Sequence, residues 1–228
     1  MLFIAEIGMN YNGNFGLIHE LIKQASLSGA NIAKFQLGWR DGKDDINHIN
    51  DSTLRLIKKV CSYYDIEPMF SIITDKAFTQ IKKFSFKRYK IASRTLIDNF
   101  PLAEKIISEN KETFISLGMW KKKKIPFINK KNVKILWCKS LYPTAPWDIQ
   151  NFPKEFSKKK YFGLSDHSIG IELALIAISR GAQVIEKHFT LDKSDTTIRD
   201  HALSLLPGEF KKMVDLGTAM HKLCSLID

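Results

Sequence analysis

The sequence predicts a (β/α)₈ barrel in which residues 1–228 form one domain. Three observations lead there. Short β-rich apolar runs alternate with longer helix-compatible segments from one end of the chain to the other. The alternation completes eight cycles, enough for parallel strands covered by helices to close with no edge exposed. The marks of the competing doubly wound sheet are missing: the first run is followed by Gly8-Met9-Asn10-Tyr11-Asn12-Gly13 rather than G-x-G-x-x-G, and no G-x-x-x-x-G-K-[ST] loop occurs.

The strands are expected at 2–9, 32–37, 67–73, 88–93, 113–118, 133–140, 161–167 and 183–189. Helices are expected at 16–28, 52–64, 75–84, 101–110, a short one near 122–130, 151–157, 169–180 and 207–226. Ser52 can cap the second helix, Pro101 and Pro207 suit first turns where a missing N–H costs nothing, and Gly29 and Gly181 suit left-handed C-terminal positions. The length is slightly below the ~250 residues usual for such barrels, so tight loops and no second domain are expected.

With 44% apolar residues the chain can bury a continuous core, yet no run reaches the ~18 apolar residues of a membrane span. The N-terminus has no basic region or cleavage site of a secretory leader, so a cytoplasmic protein is expected, with no membrane partner. Cys61, Cys138 and Cys224 lack paired spacing and read as buried free thiols. The net charge of +11 raises the question of nucleic acid. The lysine clusters at 121–124, 130–131, 158–160 and 211–212 carry no interleaved aromatics, so they read as solvated faces, and no nucleic-acid partner is expected.

Active sites of such barrels lie at the C-terminal strand ends, and period-two reading brings reactive residues to one face there. Lys34 and Gln36 share a parity on the second strand, as do Ser116 and Gly118 on the fifth and Cys138, Ser140 and Tyr142 on the sixth. Ser165 and His167 do so on the seventh, and Glu186 and His188 on the eighth. Such polar groups are costly in a dry core but suit a ligand-filled mouth, and lysines with hydroxyls (Lys34, Lys90, Ser93, Ser116, Ser140, Ser165) suit a phosphate or carboxylate. His167 and His188 end neighbouring strands about 4.8 Å apart, a separation one metal ion can bridge. With Asp166 and Glu186 beside them, spacing alone leaves metal ligation and plain polar roles both open.

Ile4-Ala5-Glu6-Ile7-Gly8-Met9-Asn10-Tyr11-Asn12-Gly13, Lys34-Phe35-Gln36, Tyr89-Lys90-Ile91-Ala92-Ser93, Ser116-Leu117-Gly118-Met119, Ser140-Leu141-Tyr142-Pro143-Thr144, Gly163-Leu164-Ser165-Asp166-His167-Ser168 and Ile185-Glu186-Lys187-His188-Phe189 together resemble the sialic acid synthases and their legionaminic and pseudaminic acid relatives. The resemblance implies an enzyme condensing phosphoenolpyruvate with an N-acylated amino-sugar aldehyde to a nonulosonic acid and phosphate. It implies a divalent metal, Mn²⁺ with Mg²⁺ or Co²⁺ as alternatives, on His167 and His188. It implies a phosphoenolpyruvate site of Lys34, Lys90, Ser93, Ser116, Ser140 and Ser165. Glu6, Tyr142 and Asp200 would face the sugar, Gln36 and Glu186 the metal end, with Glu6, Glu186 and Asp200 as catalytic carboxylates. A homodimer is implied too.

Three departures accompany this likeness. Arg94 and Thr95 stand where the family has Gly-Glu, Ser71-Ile72-Ile73-Thr74 stands where it has Ser-Thr-Pro-Phe, and no antifreeze-like domain follows the last barrel helix. The expectation is weak turnover of N-acetylmannosamine by this chain alone, improved by a separate antifreeze-like polypeptide. A Schiff-base aldolase using Lys34 or Lys90, and a catalytically impaired phosphoenolpyruvate- and sugar-binding homologue, are the alternative functions.

Overall fold

A computed structural model describes residues 1–40, 42, 44–141 and 144–227. Parallel strands pair in chain order and close into a barrel: β1 (Leu2–Gly8), β2 (Ile32–Leu37), β3 (Glu67–Ile72), β4 (Arg88–Ile91), β5 (Glu112–Ser116), β6 (Val133–Cys138), β7 (Gly163–Asp166) and β8 (Val184–His188), which returns to β1. Around it run α1 (Phe15–Leu27), α2 (Asp51–Tyr63), α3 (Asp75–Ile81), α4 (Ser93–Asp98), α5 (Phe100–Ser108), α6 (Glu172–Ser179) and α7 (Pro207–Ile227). Short 3₁₀ turns occupy Pro146–Asp148 and Arg199–Leu203.

Local chemistry sets the boundaries. The second helix begins one residue earlier than expected because Asn50, not Ser52, caps it: Asn50 Oδ1 accepts from the backbone N–H groups of Ser52 and Thr53, each at 3.0 Å. Its buried residues Thr53, Leu54, Ile57, Val60 and Cys61 follow the helical period and dock on the barrel. Pro101 falls in the first turn of α5, and Gly29 and Gly181 take φ of +84° and +95° after α1 and α6. Ser93, expected to end a strand, instead opens α4.

The helices expected near 122–130 and at 151–157 do not form. Four consecutive lysines repel one another in the first, Pro126 removes a donor, and Phe127 turns left-handed at φ 56°. Asn151 at φ 57° and Pro153 interrupt the second. Among the described residues no helix is long and apolar enough to cross a membrane.

Two apolar cores result. The larger lies between strands and helices and includes the ring series Phe35–Phe70–Phe86, with centroids 5.8 and 5.1 Å apart. The smaller fills the barrel itself with Ile4, Ile32, Met69, Phe114, Leu136 and Val184. Fully burying each such side chain contributes roughly 1.5–3 kcal/mol. Towards the strand N-termini Arg88 bonds Glu67 at 2.7 Å and Glu112 at 2.6 Å, so the guanidinium that β4 places inside is matched.

Candidate active site

Two residues beyond the apolar set, the period-two repeat brings Glu6, Lys34, Ser71, Ser116, Cys138 and Glu186 to the barrel interior, joined by Lys90 after Arg88 and Ser165 after Gly163. One step further along come Gln36, Ser140, His167 and His188. All line one cavity of about 530 Å³ at the C-terminal strand ends, together with Ser93 and Asp200. The structure thus brings these expected residues together; Tyr142 lies outside the described residues, and Asp166 faces away from the cavity.

Glycines make the room. A Cβ on Gly118 would stand 2.2 Å from Ser140 Oγ and 2.8 Å from Cys138 Sγ, so any side chain there would intrude on the cavity. Gly8, at φ +58°, ends β1 where its register with β2 shifts between Glu6 and Gly8.

Below the mouth two lysines and two glutamates interlock. Lys34 Nζ lies 2.7 Å from Glu6, 3.6 Å from Glu186 and 3.0 Å from Ser71 Oγ. Lys90 Nζ lies 3.1 Å from Glu186 and donates to Ser116 Oγ at 2.8 Å. Ser165 Oγ donates to Glu186 at 2.7 Å, and the Gly118 N–H donates to Ser93 Oγ at 2.8 Å. Both lysines are 2% exposed. Burial alone would raise the Glu186 carboxyl, but Lys34 and Lys90 outweigh it and hold that group below the usual carboxylate range. At Glu6 burial prevails over Lys34 and lifts the carboxyl. Burial likewise pushes the Lys90 ammonium down despite Glu186, whereas the two glutamates raise Lys34 against its burial.

Above them the imidazoles of His167 and His188 face each other with ring centroids 5.3 Å apart. Burial drives His188 down to about 3, only partly offset by Asp200, whose carboxylate lies 3.8 Å from Nδ1. Its imidazole is therefore neutral, the form that ligates metals. His167 Nδ1 sits 3.1 Å from the Lys139 carbonyl and 3.6 Å from Cys138 Sγ. Among the described residues no three His, Cys, Asp or Glu side chains converge on one point. Two imidazoles with carboxylates nearby are donor types that fit a divalent cation.

Some placements differ from expectation. Asp166, expected beside the histidines, points to the other face and binds the fully buried Lys187 at 2.8 Å. In the Ser71-Ile72-Ile73-Thr74 segment, read from the sequence as a departure, Ser71 lines the cavity and the Thr74 hydroxyl caps α3. Cys138 is buried but lines the site, and Cys224 is only partly buried.

Sequence reasoning missed Trp39, Arg40 and Arg199 at the mouth and treated Arg94 and Thr95 only as departures. Position was the available signal: Gly38-Trp39-Arg40 directly follows β2, and loops after barrel strands form the mouth.

Known proteins align with this architecture. The model of the NeuB family matches residues 45–225. An N,N'-diacetyllegionaminic acid synthase of Campylobacter jejuni is 31% identical, covering 93% of this chain and 74% of its own. A pseudaminic acid synthase of the same species is 32% identical over 94% of this chain and 72% of its own. The crystal structure of an N-acetylneuraminic acid (sialic acid) synthetase from Leptospira borgpetersenii superposes with a TM-score of 0.83 at 27% identity, covering 97% of this chain and 84% of that one.

Proposed function

Because the chain belongs to the NeuB family, we propose that it is a synthase joining phosphoenolpyruvate to an N-acylated amino-sugar aldehyde, yielding a nonulosonic acid and inorganic phosphate. The observation that carries this reading is the buried Lys34–Lys90 pair, interlocked with Glu6, Glu186 and serine hydroxyls beneath two facing imidazoles.

Lys34 and Lys90 bind the phosphate and carboxylate of phosphoenolpyruvate, with Ser93, Ser116, Ser140 and Ser165 supplying hydrogen bonds. Asp200 borders the acceptor, and Gln36 lines the metal end. His167 and His188 hold a divalent cation, Mn²⁺ in the first instance; when bound, it supplies Lewis acidity to the acceptor's carbonyl oxygen. The enol carbon forms a bond to the aldehyde carbon, and Glu6 is the group placed to deliver the proton that the aldehyde oxygen takes. Water adds at the neighbouring carbon, losing one proton to the ionised Glu186, and the carbon–oxygen bond to phosphate then breaks, the departing phosphate taking the remaining hydroxyl proton as the ketone forms. A homodimer, a separate antifreeze-like polypeptide completing the acceptor site and a cytoplasmic location accompany this proposal.

The test is phosphate release from phosphoenolpyruvate with manganese and a panel of N-acylated six-carbon amino sugars. Release that depends on both sugar and metal is the expected result; none with any sugar overturns the reading. His167→Ala and His188→Ala should each reduce calorimetric manganese binding at least tenfold while circular dichroism stays native. Undiminished binding in both removes the cation site.

The depressed Lys90 favours one second reading, a Schiff-base aldolase, because a desolvated amine is the nucleophile such chemistry needs. Borohydride trapping at Lys90, with activity surviving chelation, would select it.

A further inference from the structure

The two imidazoles above the cavity stand where their strands run out of ladder. β7 and β8 pair from Gly163↔Val184 to Asp166↔Lys187, and that pair is the last rung. His167 lies one residue beyond it, yet its ring faces that of His188 with centroids 5.3 Å apart.

Behind them, away from the cavity, a second set of polar groups is buried. Lys187, between Glu186 and His188, is fully buried, and Asp166 and Ser168, on either side of His167, are buried with it. The Lys187 ammonium has three donors. Three acceptors meet it: an Asp166 carboxylate oxygen at 2.8 Å, the Ser168 carbonyl oxygen, and the Ser168 hydroxyl at 3.4 Å. The other Asp166 oxygen accepts from the Ser168 N–H at 2.8 Å, which closes the turn that carries His167 around the same ammonium. One lysine thus ties both neighbours of His167 to the strand segment that carries His188.

Stability does not account for such a group. Desolvation offsets most of the attraction within a buried ion pair, and well-packed apolar residues of similar volume often replace one without loss. Apolar contact is non-directional, whereas hydrogen bonds fix angle as well as distance. We propose that Asp166, Lys187 and Ser168 are positioning residues, a buried clamp behind β7 and β8 that sets the separation of the His167 and His188 imidazoles and thereby the affinity of the cation site. The inference rests on the cation site of the proposed synthase.

Asp166→Leu combined with Lys187→Met removes the clamp without leaving a buried charge unpaired. Manganese affinity measured by calorimetry should fall about tenfold or more in this double variant, as when the groups that orient a metal-binding histidine are lost. Its urea midpoint should stay close to that of the wild type. Crystals of the metal-free variant should show the imidazole centroids displaced from their 5.3 Å separation. Wild-type affinity, or unmoved rings, in the folded double variant overturns the proposal. Should that variant not fold, Asp166→Asn takes its place. Its amide offers one oxygen where the carboxylate offers two, so either the Lys187 or the Ser168 contact is lost. Manganese affinity should then fall at least threefold, and unchanged affinity overturns the clamp. A wild-type protein that binds no manganese removes the cation site, while the imidazole separation in the metal-free crystals still decides the clamp. Phosphate release is scored apart: displaced rings without any release from the wild type sink only the synthase reading, and release with unmoved rings sinks only the clamp.

Discussion

Space at the reacting centre is set by an atom that is not there. Because a methyl group on Gly118 would press on Ser140 Oγ and Cys138 Sγ, Gly118→Ala should displace hydroxyls that the proposed site uses. Overpacking of this kind costs about 1–3 kcal/mol, so the variant should stay folded. Misplacing groups by about an ångström at a reacting centre can cost 10²-fold. We therefore expect phosphate release to fall about a hundredfold, with a melting temperature only a few degrees lower. Wild-type turnover in Gly118→Ala would show that the Ser140 hydroxyl is not part of the chemistry.

At the scale of elements, the second helix offers a direct check on how its start is read. Asn50 accepts both backbone bonds of the cap, so Asn50→Ala should lower stability by about 1 kcal/mol, whereas Ser52→Ala should change it little. Denaturant melts showing the reverse order would restore Ser52 as the cap. The barrel's strands were legible because alternation and period two are properties of composition along the chain; the same parity reading placed Lys34, Ser116, Ser165 and Glu186 on one face. Asp166 escaped it because adjacency in sequence means opposite faces on a strand, and its partner is the outward Lys187. The missing helices at 122–130 and 151–157 turn on single left-handed residues, Phe127 and Asn151, that no periodicity reports. Trp39, Arg40 and Arg94 meet only after separate loops converge, so the mouth could not be assembled from local pattern.

For the whole molecule, burial couples stability to pH. Burial pushes the Cys61 thiol from 9.0 up to about 12, and it also raises the Tyr11 phenol. Above pH 9 the unfolded chain releases the Cys61 proton while the folded chain keeps it, so this contribution is full below pH 9 and is lost as pH climbs towards 12. The slope is about 1.4 kcal/mol per pH unit for one such group. Urea melts from pH 8 to 11 should show falling stability, and Cys61→Ala should fall less steeply. A flat wild-type profile would contradict the burial argument. Closure of the barrel carries a different consequence, for the order of events in folding. The seam between β1 and β8 runs through the functional cavity: the Phe189 N–H donates to the Glu6 carbonyl at 2.9 Å, and Asn10 reaches the Phe189 carbonyl across 179 positions of sequence. Such long-range pairings are entropically late. Glu6 and His188, on opposite sides of that seam, therefore become neighbours only when the last strand docks. In refolding, helical signal should return before the capacity to bind ligand, and a ligand touching both sides holds the ring shut by mass action.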